Sequence, residues 1–116
     1  MKPLLIVDAA NVMGSTPDGW WRDRSAAAER LRDRLATLPD DAEIIMVVEG
    51  RAKDIEPISR VRVHRAPGSG DDAIVELVRA STDRQVTVVT ADRELRERVK
   101  ALGASVQGPR SLFPSG

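Results

Sequence analysis

The stretch Leu4-Leu5-Ile6-Val7-Asp8-Ala9-Ala10-Asn11 decides the fold. Four apolar residues in a row, with no polar alternation, read as a strand covered on both faces, the kind that builds parallel sheets. The run stops at a carboxylate, and open α/β sheets hold their ligands at the carboxyl ends of their strands. The pattern returns downstream. Ile44 to Val48 ends in Glu49, and Val86 to Val89 passes through Thr90 and Ala91 into Asp92, while Asp71 and Asp72 open a helical stretch behind Gly68-Ser69-Gly70. Carboxylates gathered at one rim with no basic partner among them repel one another, so a divalent cation is the natural reason to assemble them.

Outward from these strands, the apolar spacing alternates between two periods. Ala27, Leu31, Leu35 and Leu38 mark a first helix that starts near Asp23 or Ser25, either a good N-cap, and stops before Pro39. After a polar stretch with Pro57, Val61-Arg62-Val63-His64 alternates like a half-exposed edge strand. A second helix from about Gly70 to Asp72 buries Ile74, Leu77 and Val78; a third follows Asp92 with Leu95, Val99 and Leu102 in line and closes at Gly103. Ala104 to Val106 is a short fifth strand, and the Pro/Gly/Ser-rich end from about residue 109 reads as a loose tail. This order predicts one domain over residues 1–116, a three-layer α/β/α sandwich around a mainly parallel sheet of four or five strands. With the first and fourth strands as neighbours, Asp8 and Asp92 would flank one crevice, with Asp71 and Asp72 at its mouth.

The bulk numbers exclude several classes. A chain of 116 residues can bury roughly two-thirds of its surface without cross-links. No apolar run approaches the ~20 residues of a membrane span, and the first eight residues are too short for a secretion signal, so a cytoplasmic protein is expected. With no cysteine and one histidine, His64, the only plausible metal ligands are hard oxygens. Eighteen basic and eighteen acidic residues cancel, so any attraction to nucleic acid must be local. Arg22, Arg24, Arg51, Lys53, Arg65 and Arg93 all fall at the carboxyl-end connections of the expected sheet; of these Arg22, Arg24 and Arg93 are the favoured phosphate contacts. Trp20 and Trp21 share the first of those loops, where an exposed indole, taken as Trp20, could stack on an unpaired base, although one of the pair is also expected to staple the loop to the first helix.

In order along the chain, LLIVDAAN, GSGDD and VVTADRE resemble the PIN-like nucleases, most closely the NYN/YacP-type branch, over roughly residues 3–106. The resemblance implies a Mg²⁺- or Mn²⁺-dependent ribonuclease in which Asp8, Asn11, Asp71, Asp72 and Asp92 form the catalytic group. Asp8, Asp71, Asp72 and Asp92 would be the metal ligands. Glu49 departs from the aspartate that relatives often carry at the end of the second strand, and is expected to act behind the ligands. The implied partner is RNA, single-stranded or structured, in a setting that includes the ribosome; no membrane and no organic cofactor are expected.

Water-driven cleavage of a phosphodiester suits these residue types, because bound cations create the nucleophile and neutralise the phosphoryl oxygens. A serine-type mechanism at Ser15 or Thr90 lacks a neighbouring histidine base. Simpler roles stand beside the catalytic ones: Asp92 has the position of a helix N-cap, Ser69 to Asp72 has capping-box spacing, and Asn11 could shape a turn. Three other functions are to be weighed: an inactive RNA- or protein-binding module of the same fold, a small-molecule phosphatase, and a nucleotide-binding domain. The phosphatase class needs a second aspartate where Ala10 stands, and no glycine-rich turn follows the first strand to bind a pyrophosphate.

Overall fold

The computed structural model describes residues 1–15 and 19–113, apart from the side chains of Arg51 and Lys53. Five strands form one sheet: β1 (Leu4–Asp8), β2 (Glu43–Val48), β3 (Val61–Arg65), β4 (Val86–Val89) and β5 (Ser105–Gln107), in the spatial order β3-β2-β1-β4-β5. All neighbouring pairs are parallel, with Leu5 opposite Ile44 on one side and Thr87 on the other. The sequence grows outward from β1 in one direction and then in the other, so the switch in strand order falls between β1 and β4. That is the expected mainly parallel α/β sandwich.

Strand alternation divides the core in two. Val7, Ile44, Met46, Val48 and Val89 point to one face, where they pack with Val12, Leu31 and Leu35 from α1 (Ala9–Gly14) and α2 (Arg24–Leu35). Ile6, Ile45, Val47, Val86 and Val88 point to the other, against Ile74, Val78, Leu95 and Val99 from α3 (Gly70–Ala80) and α4 (Arg93–Lys100). Apolar strands without alternation are therefore the direct consequence of helices on both sides.

The helices obey their caps. Asp23 accepts from the Ala26 amide at 3.0 Å and starts α2, Ser69 accepts from the Asp72 amide and starts α3, and Asp92 accepts from the Leu95 amide at 3.1 Å and starts α4. Gly103 has φ of +93°, the left-handed conformation that ends α4 and turns the chain into β5. Two expectations are corrected. The helix expected to be the first, near Asp23 or Ser25, is preceded by another: residues 9–14 form the six-residue helix α1, which Asp8 caps as the strand ends. The tail is also not loose from 109: Pro109–Ser111 make a 3₁₀ turn, Leu112 is 5% exposed against the α2 side of the core, and Phe113 packs on that side beneath the Arg34 guanidinium. One apolar residue suffices to anchor the turn because it enters a core already built.

The rim at the amino ends of the strands is neutralised by ion pairing. Glu43, the first residue of β2, receives the Arg84 guanidinium at 3.0 Å and that of Arg62, and both hold its carboxyl below the usual range. Arg84 also donates to the carbonyls of Lys2 and Pro3, tying the chain start to the β4 side. The opposite rim is built differently.

Candidate metal centre at the carboxyl rim

Asp8 ends the central strand, 7% exposed, on the same side of the alternation as Ile6. Glu49 after β2 and Thr90 after β4 share that parity, so three strand ends turn toward the α3 and α4 layer. Thr90 is completely buried. Its hydroxyl donates to Asp8 Oδ2 at 2.9 Å while its oxygen accepts from the Asp92 amide at 3.1 Å, a relay that fixes the carboxylate and the start of α4 together. The other Asp8 oxygen faces the Asn11 amide at 3.5 Å, the capping contact of α1. Arg96 Nε closes the loop by donating to the Thr90 carbonyl at 2.7 Å.

Burial pushes the Asp8 carboxyl up to about 6, the Thr90 and Asn11 hydrogen bonds draw it back, and the negative charges of Asp71 and Glu49 raise it further. Among the described residues, no basic side chain is one of the influences on it, in contrast to Glu43 at the other rim. Asp71, on the first turn of α3, is raised as well, by burial first and then by Asp92 and Glu49, with Arg98 opposing. Asp8, Glu49, Asp71 and Asp92 therefore share one negative field contributed by β1, β2, α3 and the β4–α4 loop.

Glu49 is the residue whose part the sequence only outlined. Its carboxylate accepts from the Gly70 amide, at the first residue of α3, and a methyl group on Gly70 would lie 2.7 Å from Glu49 Oε2. The glycine thus permits Glu49, at the end of β2, to meet the first turn of α3, which carries Asp71. Favourable alignment of a carboxylate with a helix N-terminus supports the same contact.

Other expected residues fall elsewhere. Asp72 projects outward, its side chain 72% exposed and paired with Arg98 at 3.1 Å; its charge still adds to those that raise Asp71, which is the less exposed of the two. Asn11 does not present its side-chain oxygen to a ligand; that oxygen accepts from the Ala91 amide at 2.8 Å and ties the ends of β1 and β4. Asp92 both caps α4 and contributes its charge. Trp20 is the stapling indole: it packs against the α1–α2 core, near the Gly14 end of α1. Trp21 is 57% exposed instead. Arg22, Arg24 and Arg93 are exposed; Arg51 and Lys53 have side chains outside the described residues. His64 stays on the edge strand β3, where it pairs in register with Val47, the residue that pairs with Asp8 on the other side.

The donor set suits a hard cation: oxygen ligands only, mutually repelling, with no basic group among the described residues neutralising the innermost one. Among the described residues no three acidic or imidazole side chains stand close enough to enclose one ion by themselves, so the expected four-carboxylate cage is not preformed. Mg²⁺ does not need one, since it keeps several waters and commonly binds through one or two carboxylates.

Neither a family model nor a curated protein sequence matches the chain. Among solved structures it is similar to Rae1 (YacP) from Bacillus subtilis, at 24% identity and a TM-score of 0.77, covering 96% of this chain and 71% of that one. The W164L mutant of the same protein aligns with a TM-score of 0.81 at 22% identity, covering 98% and 74%. Five parallel strands in this order superimpose on that protein over nearly the whole of this chain: the chain shares the α/β fold of Rae1 (YacP).

Proposed function

We propose that the protein is a Mg²⁺- or Mn²⁺-dependent ribonuclease that hydrolyses phosphodiester bonds at the carboxyl rim of its sheet. The observation that carries this reading is Asp8: a buried carboxylate on the central strand, surrounded by further negative charge and unneutralised by any described basic residue. Such an arrangement is costly to fold and is accounted for by a cation that binds there. Asp8 and Asp71 would be the principal ligands, with Asp92 and Glu49 adding charge to the same site. When bound, the ion supplies hydroxide at neutral pH and neutralises the charge that builds on the phosphoryl oxygens.

The chain's own residues do the rest. Thr90 and Asn11 hold both oxygens of Asp8, so its carboxylate is already oriented before a ligand arrives. Glu49 fixes the start of α3 and with it Asp71. Arg93, exposed one residue beyond Asp92, would meet a phosphate. The Thr90 hydroxyl is committed to Asp8, so it is not a free nucleophile, and the attacking group is water.

The test is cleavage of a mixed RNA pool by the purified protein with Mn²⁺ or Mg²⁺, repeated with chelator and with Asp8→Asn. Cutting that needs the metal and disappears in the variant supports the proposal. RNA binding without cutting in either metal would instead mean a binding module of this fold, and release of phosphate from a generic monoester would mean a phosphatase.

A further inference from the structure

The connection between α1 and α2 carries the one large aromatic ring that the fold leaves open. Trp20 and Trp21 meet edge to face, with ring centroids 6.4 Å apart and planes at 88°. Trp20 is held by the core, and it in turn supports Trp21 in a defined orientation. The Arg22 guanidinium carbon lies 5.8 Å from the Trp21 ring centroid and that of Arg24 lies 5.4 Å from Trp20, so each indole has a cation beside it. Asp23, the neighbouring acid, caps α2 through the Ala26 amide.

The setting favours a nucleic acid over an apolar protein surface. Among the described residues Trp21 has no wide apolar patch around it; its neighbours Arg22, Asp23 and Arg24 are exposed and charged. A supported aromatic face beside cations is what single-stranded nucleic acids bind, since every base has a π-face and every nucleotide a phosphate. The loop packs on the α1–α2 face of the sheet and reaches the same rim as the acidic residues. As the return crossover between the parallel strands β1 and β2, α2 runs against them, and its amino end therefore lies at the rim that carries Asp8.

We propose that Trp21, flanked by Arg22 and Arg24, is a stacking platform for an unpaired base, which makes single-stranded RNA the form of substrate led toward the acidic rim. The substrate assignment rests on the ribonuclease reading, but the platform is a binding site in its own right and is tested without turnover. A base inside a duplex already has both faces stacked, so the platform discriminates against double-stranded RNA.

The two tryptophans are the source of intrinsic emission, because the chain has no tyrosine. In chelator, an unstructured oligoribonucleotide should quench Trp21 emission in a Trp20→Phe variant, whereas a duplex of the same length should not. If Trp20→Phe fails to fold, the difference between the wild-type and Trp21→Ala titrations reads the same signal. Trp21→Ala should weaken single-strand binding by about tenfold and leave the melting temperature unchanged, with Trp21→Phe restoring most of the affinity. Equal quenching by duplex and single strand overturns the proposal. So does quenching that survives in Trp21→Ala, or emission that ignores RNA and shifts only with protein concentration, as it would if a second copy covered the ring. Quenching without cleavage in any metal would refute the nuclease and keep the platform; cleavage without quenching would do the reverse.

Discussion

Asp8 concentrates the cost and the chemistry of the site in a single carboxyl group. Its folded-state value of about 6 lies above its ordinary 3.8, so the folded protein binds this proton more tightly than the unfolded chain does. The stability linked to Asp8 is therefore present below about pH 4 and is lost as pH rises through 6. A shift of this size corresponds to roughly 3 kcal/mol at most. Asp8→Asn should then raise the melting temperature of the metal-free protein by several degrees at pH 7 and lose that advantage toward pH 4, as thermal denaturation across that range would reveal. Mn²⁺ should stabilise the wild type and not the variant. A variant that melts lower than the wild type at neutral pH would show that Asp8 is an ordinary structural carboxylate.

At the level of elements, the contact between β2 and α3 is the sensitive joint. Gly70→Ala forces the Glu49 carboxylate aside but gains about 1 kcal/mol of helix propensity, and the atom displaced is the end of a flexible side chain. Thermal stability should stay within a few degrees, while metal affinity measured by calorimetry falls, since Asp71 follows directly on the residue that makes this contact. The strands were legible in the sequence because helices cover both faces and leave uninterrupted apolar runs, as in Leu4 to Val7. Period-two alternation also places Asp8, Glu49 and Thr90 on one side, which the residue numbers alone could have revealed. Helix α1 was hidden because its capping residue is the last residue of β1, and six residues hold too little periodicity to register. Choosing between Asp71 and Asp72 was beyond the sequence, since adjacent helical residues point about 100° apart and Arg98, which draws Asp72 outward, comes from another helix.

Across the whole molecule the two rims divide the labour. Arg84, whose side chain is 12% exposed, binds Glu43 and the carbonyls of Lys2 and Pro3, so Arg84→Ala should cost about 2–3 kcal/mol of stability and leave cleavage per folded molecule unchanged. Urea denaturation together with an active-site titration would separate the two effects. Leu112→Ala should destabilise by about 2 kcal/mol, which a truly loose tail would not. The position of β1 has a further implication. Its amides are flanked by β2 and β4, so in hydrogen-exchange experiments they should be among the last to open, whereas those around Trp21 should exchange early. On the proposed reading, mutational drift in that outlying loop would alter what is gripped while the innermost carboxylate keeps its place, an anatomy by which one centre would acquire new targets without being rebuilt.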